Sequence, residues 1–168
     1  LPDRNAVTAL IDCARAFWNV PDAAAILAVP GASSAIAQLP RLVEPGRVAI
    51  PGPTYNEHAA AFYAAGWTLD EEGLDAVVAV HPNNPDGLLW NSALLNSPLT
   101  IIDESFCDVM PGQSHVSLSD RPGTIVLKSF GKFWGLAGLR LGFAIGDPGI
   151  IADLADAFRH QESGQHFG

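Results

Sequence analysis

Apolar positions along this chain follow two patterns, one typical of helices and one typical of buried strands. Apolar side chains at three- and four-residue steps predict helices over residues 5–18, 34–42, 56–65 and 150–159. Short continuous apolar runs that end abruptly in polar, Gly or Pro residues predict strands over Ala25–Val29, residues 47–50 and 75–80, Leu99–Asp103 and Thr124–Ser129. Helices and strands therefore alternate along the chain.

This order of elements predicts an α/β fold with a mostly parallel central sheet flanked by helices, because parallel strands buried on both faces read as continuous apolar runs. Residues 139–145 form another apolar run, too close after the preceding strand for a crossover helix. We expect this run to pair antiparallel with a neighbour. In such sheets ligands bind at the carboxyl ends of the strands, so the residues that follow each strand are candidates for chemistry.

Length and charge narrow the class of protein. The 168 residues suffice for one domain, and a net charge of −9 argues against nucleic acid and anionic membranes as partners. Neither the two cysteines, Cys13 and Cys107, nor the five histidines show metal-ligand spacing, so no metal site is predicted. Unpaired cysteines and the lack of an apolar run long enough for a membrane span predict a cytoplasmic protein.

Small and polar residues follow five of the predicted strands. In chain order they are Gly31-Ala32-Ser33-Ser34, Pro53-Thr54-Tyr55, residues 81–87, Asp103-Glu104-Ser105-Phe106 and Ser129-Phe130-Gly131-Lys132. The combination of Asn-Pro-x-Gly, Asp-Glu and Ser-x-x-Lys, followed by Gly-Leu-Arg-x-Gly, resembles the class I/II aminotransferase superfamily of pyridoxal-5′-phosphate (PLP) enzymes of fold type I. The resemblance extends over residues 29–146 and implies PLP as the cofactor and a small amino acid or amino phosphate as the substrate.

The resemblance also implies a domain organisation. Residues 1–159 are expected to form the PLP-binding large domain, followed by a polar tail over residues 160–168. The small domain of the family is built from both chain ends, and we expect it to be largely absent here. No residue of this chain matches the family arginine that binds the substrate carboxylate, so the activity of the chain alone stays open. A full-length member is expected to be a homodimer.

By this resemblance, Lys132 holds PLP covalently as a Schiff base. A lysine amine is a nucleophile only when neutral, and burial lowers its pKa. We therefore expect Lys132 to be enclosed by aromatic neighbours and, once the substrate displaces it, to act as the general base at the α-carbon. The alternative is a surface lysine whose stem packs along Phe133 and Trp134.

Asp103 is the second expected catalytic residue. It closes a buried apolar strand, and a carboxylate in that position needs a partner. The resemblance implies that this partner is the pyridine nitrogen of PLP, which Asp103 keeps protonated so that the ring accepts electrons. A helix N-cap or an ion pair at the strand end is the competing interpretation.

Two further residues resemble family contacts to the cofactor ring. Asn84 matches the asparagine that donates to the phenolic oxygen, and Tyr55 matches the aromatic that stacks on the ring. An ordinary turn would also explain Asn84, and a core tyrosine would also explain Tyr55.

The expected phosphate contacts come from three places in the chain. Gly31, Ala32 and Ser33 form a small-residue loop before a helix, where backbone amides bind anions. Ser129 and Arg140 match a hydroxyl and a guanidinium contact of the family. An ion pair elsewhere is the alternative role of the arginine.

One position departs from many aminotransferases, which have Tyr three residues after the aspartate. Phe106 stands there and has no hydroxyl for the cofactor oxygen. Asp-Glu-Ser-Phe followed by Asp108, and the stretch around Lys132, resemble the threonine-phosphate decarboxylase subgroup of cobalamin biosynthesis. We expect such a decarboxylase, with an aminotransferase such as the histidinol-phosphate enzymes as the alternative. A non-catalytic domain with a remnant fold is a further hypothesis. A dinucleotide-binding domain would need Gly-x-Gly-x-x-Gly after the first strand, and the sequence there does not supply that motif.

Overall fold

In the computed structural model, which describes residues 3–72 and 75–164, seven strands form one sheet between helices. The helices are α1 (Arg4–Phe17), α2 (Ala32–Gln38), α3 (Glu57–Ala64) and α4 (Pro148–Gly164). The strands are β1 (Ala25–Val29), β2 (Arg47–Ala49), β3 (Thr68–Leu69), β4 (Ala76–Val80), β5 (Leu99–Asp103), β6 (Thr124–Ser129) and β7 (Gly142–Gly146). No helix among the described residues is both long and apolar enough to cross a bilayer.

Most predicted boundaries lie within two residues of those observed, and the larger differences fall at helix ends and at the start of β7, which begins at Gly142 and not at residue 139. The helix predicted over residues 34–42 begins earlier as α2 and continues as a 3₁₀ turn, Leu39–Arg41. Helix α4 extends to Gly164, so it includes the first part of the predicted polar tail, whose residues 165–168 lie outside the described residues. Strand β3 was not predicted, because two exposed residues leave no apolar pattern.

The strand order is β1-β7-β6-β5-β4-β2-β3, with β7 antiparallel to both neighbours and the other pairings parallel. This confirms the mostly parallel sheet. Because β7 runs against its neighbours, its first residue lies where β1 and β6 end: Gly142 pairs with both Val29 and Ser129. The segment before β7 therefore meets the ends of the other strands at one edge of the sheet.

Alternation along the central strands divides the core into two layers. Ile101, Ile125 and Leu127 pack with residues of α2, α3 and α4, whereas Ile102 and Val126 pack on the α1 side. Each such side chain stabilises the fold by about 1.5–3 kcal/mol through burial. Residues two apart in a strand point to the same face, so this alternation also fixes which face of the sheet the last side chains of β5 and β6 lie on.

Lys128 lies on the α1 side and is the centre of a buried charge cluster, defined here as Lys128, Glu104 and Asp108. Its Nζ is 2.6 Å from Glu104 Oε2 and 3.1 Å from Asp108 Oδ1. Burial lowers the pKa of Lys128, but the two carboxylates outweigh that effect and raise it. The ammonium therefore stays charged and compensates the buried carboxylates.

Replacing Lys128 by Met should lower the free energy of unfolding by about 3–5 kcal/mol, because it leaves buried carboxylates without a counter-charge. The matched control is Lys132→Met, which changes an exposed lysine and should alter the free energy by less than about 0.5 kcal/mol. Urea denaturation of the cofactor-free protein measures both values. Equal stability of the two variants would contradict the structural role of the charge cluster.

Candidate active site

A cavity at the carboxyl edge of the sheet is lined by seven of the nine residues predicted to bind the cofactor. They are Ala32, Ser33, Tyr55, Asn84, Asp103, Ser129 and Lys132. The cavity itself is small, about 40 Å³, and it is continuous with open solvent. Its residues come from the ends of β1, β2, β4, β5 and β6, which all run in one direction. Parallel topology thus brings together residues that are far apart in the chain.

Gly31 and Arg140, the other two predicted residues, lie against each other beside the cavity. A Cβ built on Gly31 would stand 3.0 Å from Arg140 Nη2, so the guanidinium packs directly on the glycine backbone. Gly31 also has φ +83°, a conformation that strains any residue with a side chain. Because Ala32 and Ser33 follow Gly31 at the start of α2, the guanidinium lies next to the first amides of that helix.

Asp103 is 3% exposed and has hydrogen-bond donors at both oxygens. Its Oδ2 is 2.8 Å from His58 Nε2, and its Oδ1 accepts from the Ser105 amide at 3.0 Å and the Ser105 hydroxyl at 2.6 Å. Burial raises the pKa of this carboxyl, but the contacts with His58 and Ser105 outweigh burial and lower it. Asp103 is therefore ionised at neutral pH, and its stabilising contribution is lost only as the pH falls through that lowered pKa.

His58 and Ser105 belong to this site and were not predicted. His58 is 1% exposed on α3 and shares a face with buried Phe62, one helical turn later. A histidine in register with a core residue, three positions after Tyr55, was the available signal. Ser105 follows Asp103 by two residues, the spacing at which an Asp side chain commonly accepts from the backbone.

Lys132 differs from the prediction in its surroundings. Its side chain is exposed, so the expected apolar enclosure is not found and that part of the prediction is wrong. The Nζ lies 5.7 Å from the centre of the Tyr55 ring and 6.0 Å from that of Phe106, and these are not the sequence neighbours expected. The physical reason is position: Lys132 lies on the loop after β6, at the solvent-facing side of the cavity.

Tyr55 and Asn84 each line the cavity and also have the structural role that the sequence left open, a core contact for Tyr55 and a turn for Asn84. Tyr55 is half-buried, lines the cavity and packs against the apolar core on the α3 side. Asn84 is exposed and lies in a turn, while it also lines the cavity. Their surroundings therefore leave room for contacts with a ligand.

A second group of potential ligands lies on the opposite face of the sheet. Donor atoms of His81, Glu104 and Cys107 lie within 4.8 Å of one another and are buried. The ammonium of Lys128 already stands 2.6 Å from Glu104, where a cation would bind. Burial also raises the pKa of the Cys107 thiol to about 12, which disfavours the thiolate that metals require. The group is better explained as part of the packing around Lys128.

Proteins with similar sequences belong to the family that the site residues resemble. Residues 2–167 match the family model for aminotransferase class I and II. The chain is 41% identical to threonine-phosphate decarboxylase of Pseudomonas aeruginosa over 150 residues, which cover 78% of this chain and 45% of that protein. It is 35% identical to a histidinol-phosphate aminotransferase of Mycobacterium bovis, over 77% of this chain and 41% of the relative.

A solved structure has the same fold. The histidinol-phosphate aminotransferase of Clostridium acetobutylicum superposes with a TM-score of 0.77 at 22% identity, covering 93% of this chain and 55% of that one. The chain thus spans about half the length of the curated relatives it matches. With a family match over nearly all its residues, the chain belongs to the class I and II aminotransferases, a PLP-dependent family.

Proposed function

We propose that this chain is the PLP-binding part of an enzyme that decarboxylates threonine phosphate, with Lys132 and Asp103 as its catalytic residues. The supporting observation is that seven predicted cofactor residues from five strand ends line one cavity. The similarity to threonine-phosphate decarboxylases, at 41% and 39% identity, favours that reaction. The pathway proposed for it is cobalamin biosynthesis.

The donor set of the site fits the chemical groups of PLP. Arg140 beside Gly31, together with Ser33 and Ser129, offers a cation and hydroxyls to a phosphate. Asp103 offers an ionised carboxylate to a ring nitrogen, and Lys132 offers an amine to an aldehyde.

Each residue has a definite task in this proposal. Tyr55 would stack on the ring, and Asn84 would donate to its phenolic oxygen. Asp103 would accept from the protonated ring nitrogen while His58 and Ser105 hold its carboxylate in place. Bound PLP supplies an electron-accepting ring that stabilises negative charge at the substrate α-carbon.

Lys132 would have two tasks in sequence. Its amine would first hold the cofactor, and after displacement by the substrate it would deliver or remove a proton at the reacting carbon. The exposed position of the side chain, with aromatic rings 5.7 and 6.0 Å away, allows such movement. Phe106, which has no hydroxyl, leaves Asn84 as the proposed donor to the phenolic oxygen.

Histidinol-phosphate aminotransfer is the alternative activity, and the 35% identity to the mycobacterial enzyme favours it. Both activities begin with the same residues around the cofactor. We propose a cytoplasmic homodimer for the full-length protein in either case, on the basis of the family resemblance. Exposed apolar side chains near the site, such as Phe133 and Leu139, are suited to burial in a subunit contact.

The attachment of PLP to Lys132 is testable because the chain has only one other lysine. After incubation with PLP and reduction with borohydride, peptide mass spectrometry should find the cofactor on Lys132. Lys128 should remain unmodified, because it is buried and charged. An adduct on Lys128 alone, or no adduct on the folded protein, would remove Lys132 from its proposed role.

The reaction itself is tested on the protein expressed from its complete reading frame. Incubation with threonine phosphate should release CO₂ without consuming a 2-oxo acid. The Lys132→Ala variant should lose at least about a hundredfold in rate, the scale of a proton-transfer residue. Amino transfer from histidinol phosphate to a 2-oxo acid, with no CO₂ released from threonine phosphate, would instead favour the alternative.

A further inference from the structure

The loop after β2 and the loop after β4 are joined by one buried amide, that of Asn83. Asn83 is 6% exposed, and its side chain forms hydrogen bonds with the loop after β2. Asn83 Oδ1 accepts from the Thr54 hydroxyl at 2.6 Å, and Nδ2 donates to the Pro53 carbonyl oxygen at 3.0 Å. These are contacts across about thirty residues of sequence.

The amide of Asn83 uses both of its N–H donors. The second donor contacts Asp86 Oδ1 at 2.8 Å, and that oxygen also accepts from the Leu88 amide at 3.0 Å. The backbone of Asn83 is engaged as well, since its N–H donates to the Leu88 carbonyl and its carbonyl accepts from the Gly87 amide, both at 2.8 Å. Asn83 is therefore fixed within its own loop while it holds the other.

The immediate neighbours of this contact line the cavity. Tyr55 follows Thr54, and Asn84 follows Asn83. Consecutive Cα atoms are a fixed distance apart, so fixing Thr54 against Asn83 restricts the separation of the next two residues. A misplacement of about 1 Å in such a pair is enough to impair a site.

We propose that Asn83 and Thr54 are positioning residues. Their hydrogen bond sets the distance across the cavity between the Tyr55 ring and the Asn84 amide. The inference rests on the proposed function, because these two groups matter only if they hold a cofactor ring. Asn83 and Thr54 act through their neighbours and do not contact the ligand themselves.

The negative charge of Asp86 explains why position 83 requires an amide side chain and not a carboxylate. The hydrogen bonds from the Leu88 amide and the Asn83 side chain lower the pKa of Asp86, which is therefore ionised at neutral pH. A carboxylate at position 83 would face that charge and the Pro53 carbonyl oxygen without a proton to donate. An amide supplies the donors and the acceptor that the three partners require.

The test uses three substitutions of Thr54. Thr54→Val keeps the shape of the side chain and removes the hydroxyl, Thr54→Ala removes it without adding a contact, and Thr54→Ser retains it. Titration of the cofactor-free protein with PLP gives the dissociation constant, and circular dichroism of bound PLP reports the geometry of the ring. Melting of the cofactor-free protein reports stability separately.

We expect Val and Ala to raise the PLP dissociation constant about five- to tenfold, the scale of one hydrogen bond, and to change the circular dichroism. Ser should stay within about twofold of the unsubstituted protein. If Val and Ala bind PLP as Ser does, or change only the melting temperature, the inference is overturned and the proposed function stands. If the unsubstituted protein binds no PLP, the proposed function fails and the inference fails with it.

Discussion

The carboxylate of Asp103 is buried at the carboxyl end of β5, the central strand of the sheet, and the arrangement of the site follows from the need to keep it ionised. Burial of a charge is costly, and the contacts with His58 and Ser105 offset that cost. They fix α3 against the end of β5, and Tyr55 leads into that helix. The position of the Tyr55 ring therefore depends on the hydrogen bond between His58 and the Asp103 carboxylate.

Glu104, the next residue along the chain, is a buried acid with a structural role, and it differs from Asp103 in its partners. Glu104 is also buried, but it lies on the opposite face and contacts the ammonium of Lys128. It also accepts from the Ser114 hydroxyl and from the His115 amide. Among the described residues, Asp103 has no ammonium or guanidinium partner, and it lines a cavity. Two adjacent acids are therefore compensated in different ways, and only Asp103 can share its charge with a ligand.

The sequence predicted the strands well because their apolar runs are determined by burial on both faces. Leu99–Asp103 and Thr124–Ser129 have the bounds that the pattern indicates. The gathering of strand-end residues was also predictable, because it depends on strand direction alone. The contact between His58 and Asp103 was not, since it spans 45 residues and requires the packing of α3 on the sheet. The exposure of Lys132 depends on a loop conformation that no local pattern specifies.

In the proposed enzyme, one small ring joins the carboxylate of Asp103 to the amine of Lys132. Nuclear magnetic resonance of the protein bound to PLP labelled with ¹⁵N in the ring tests it most directly. At neutral pH the nitrogen should have the chemical shift of a protonated pyridine, and in the Asp103→Asn variant that of an unprotonated one. An unprotonated nitrogen in the unsubstituted protein, or the same shift in both proteins, would contradict the account.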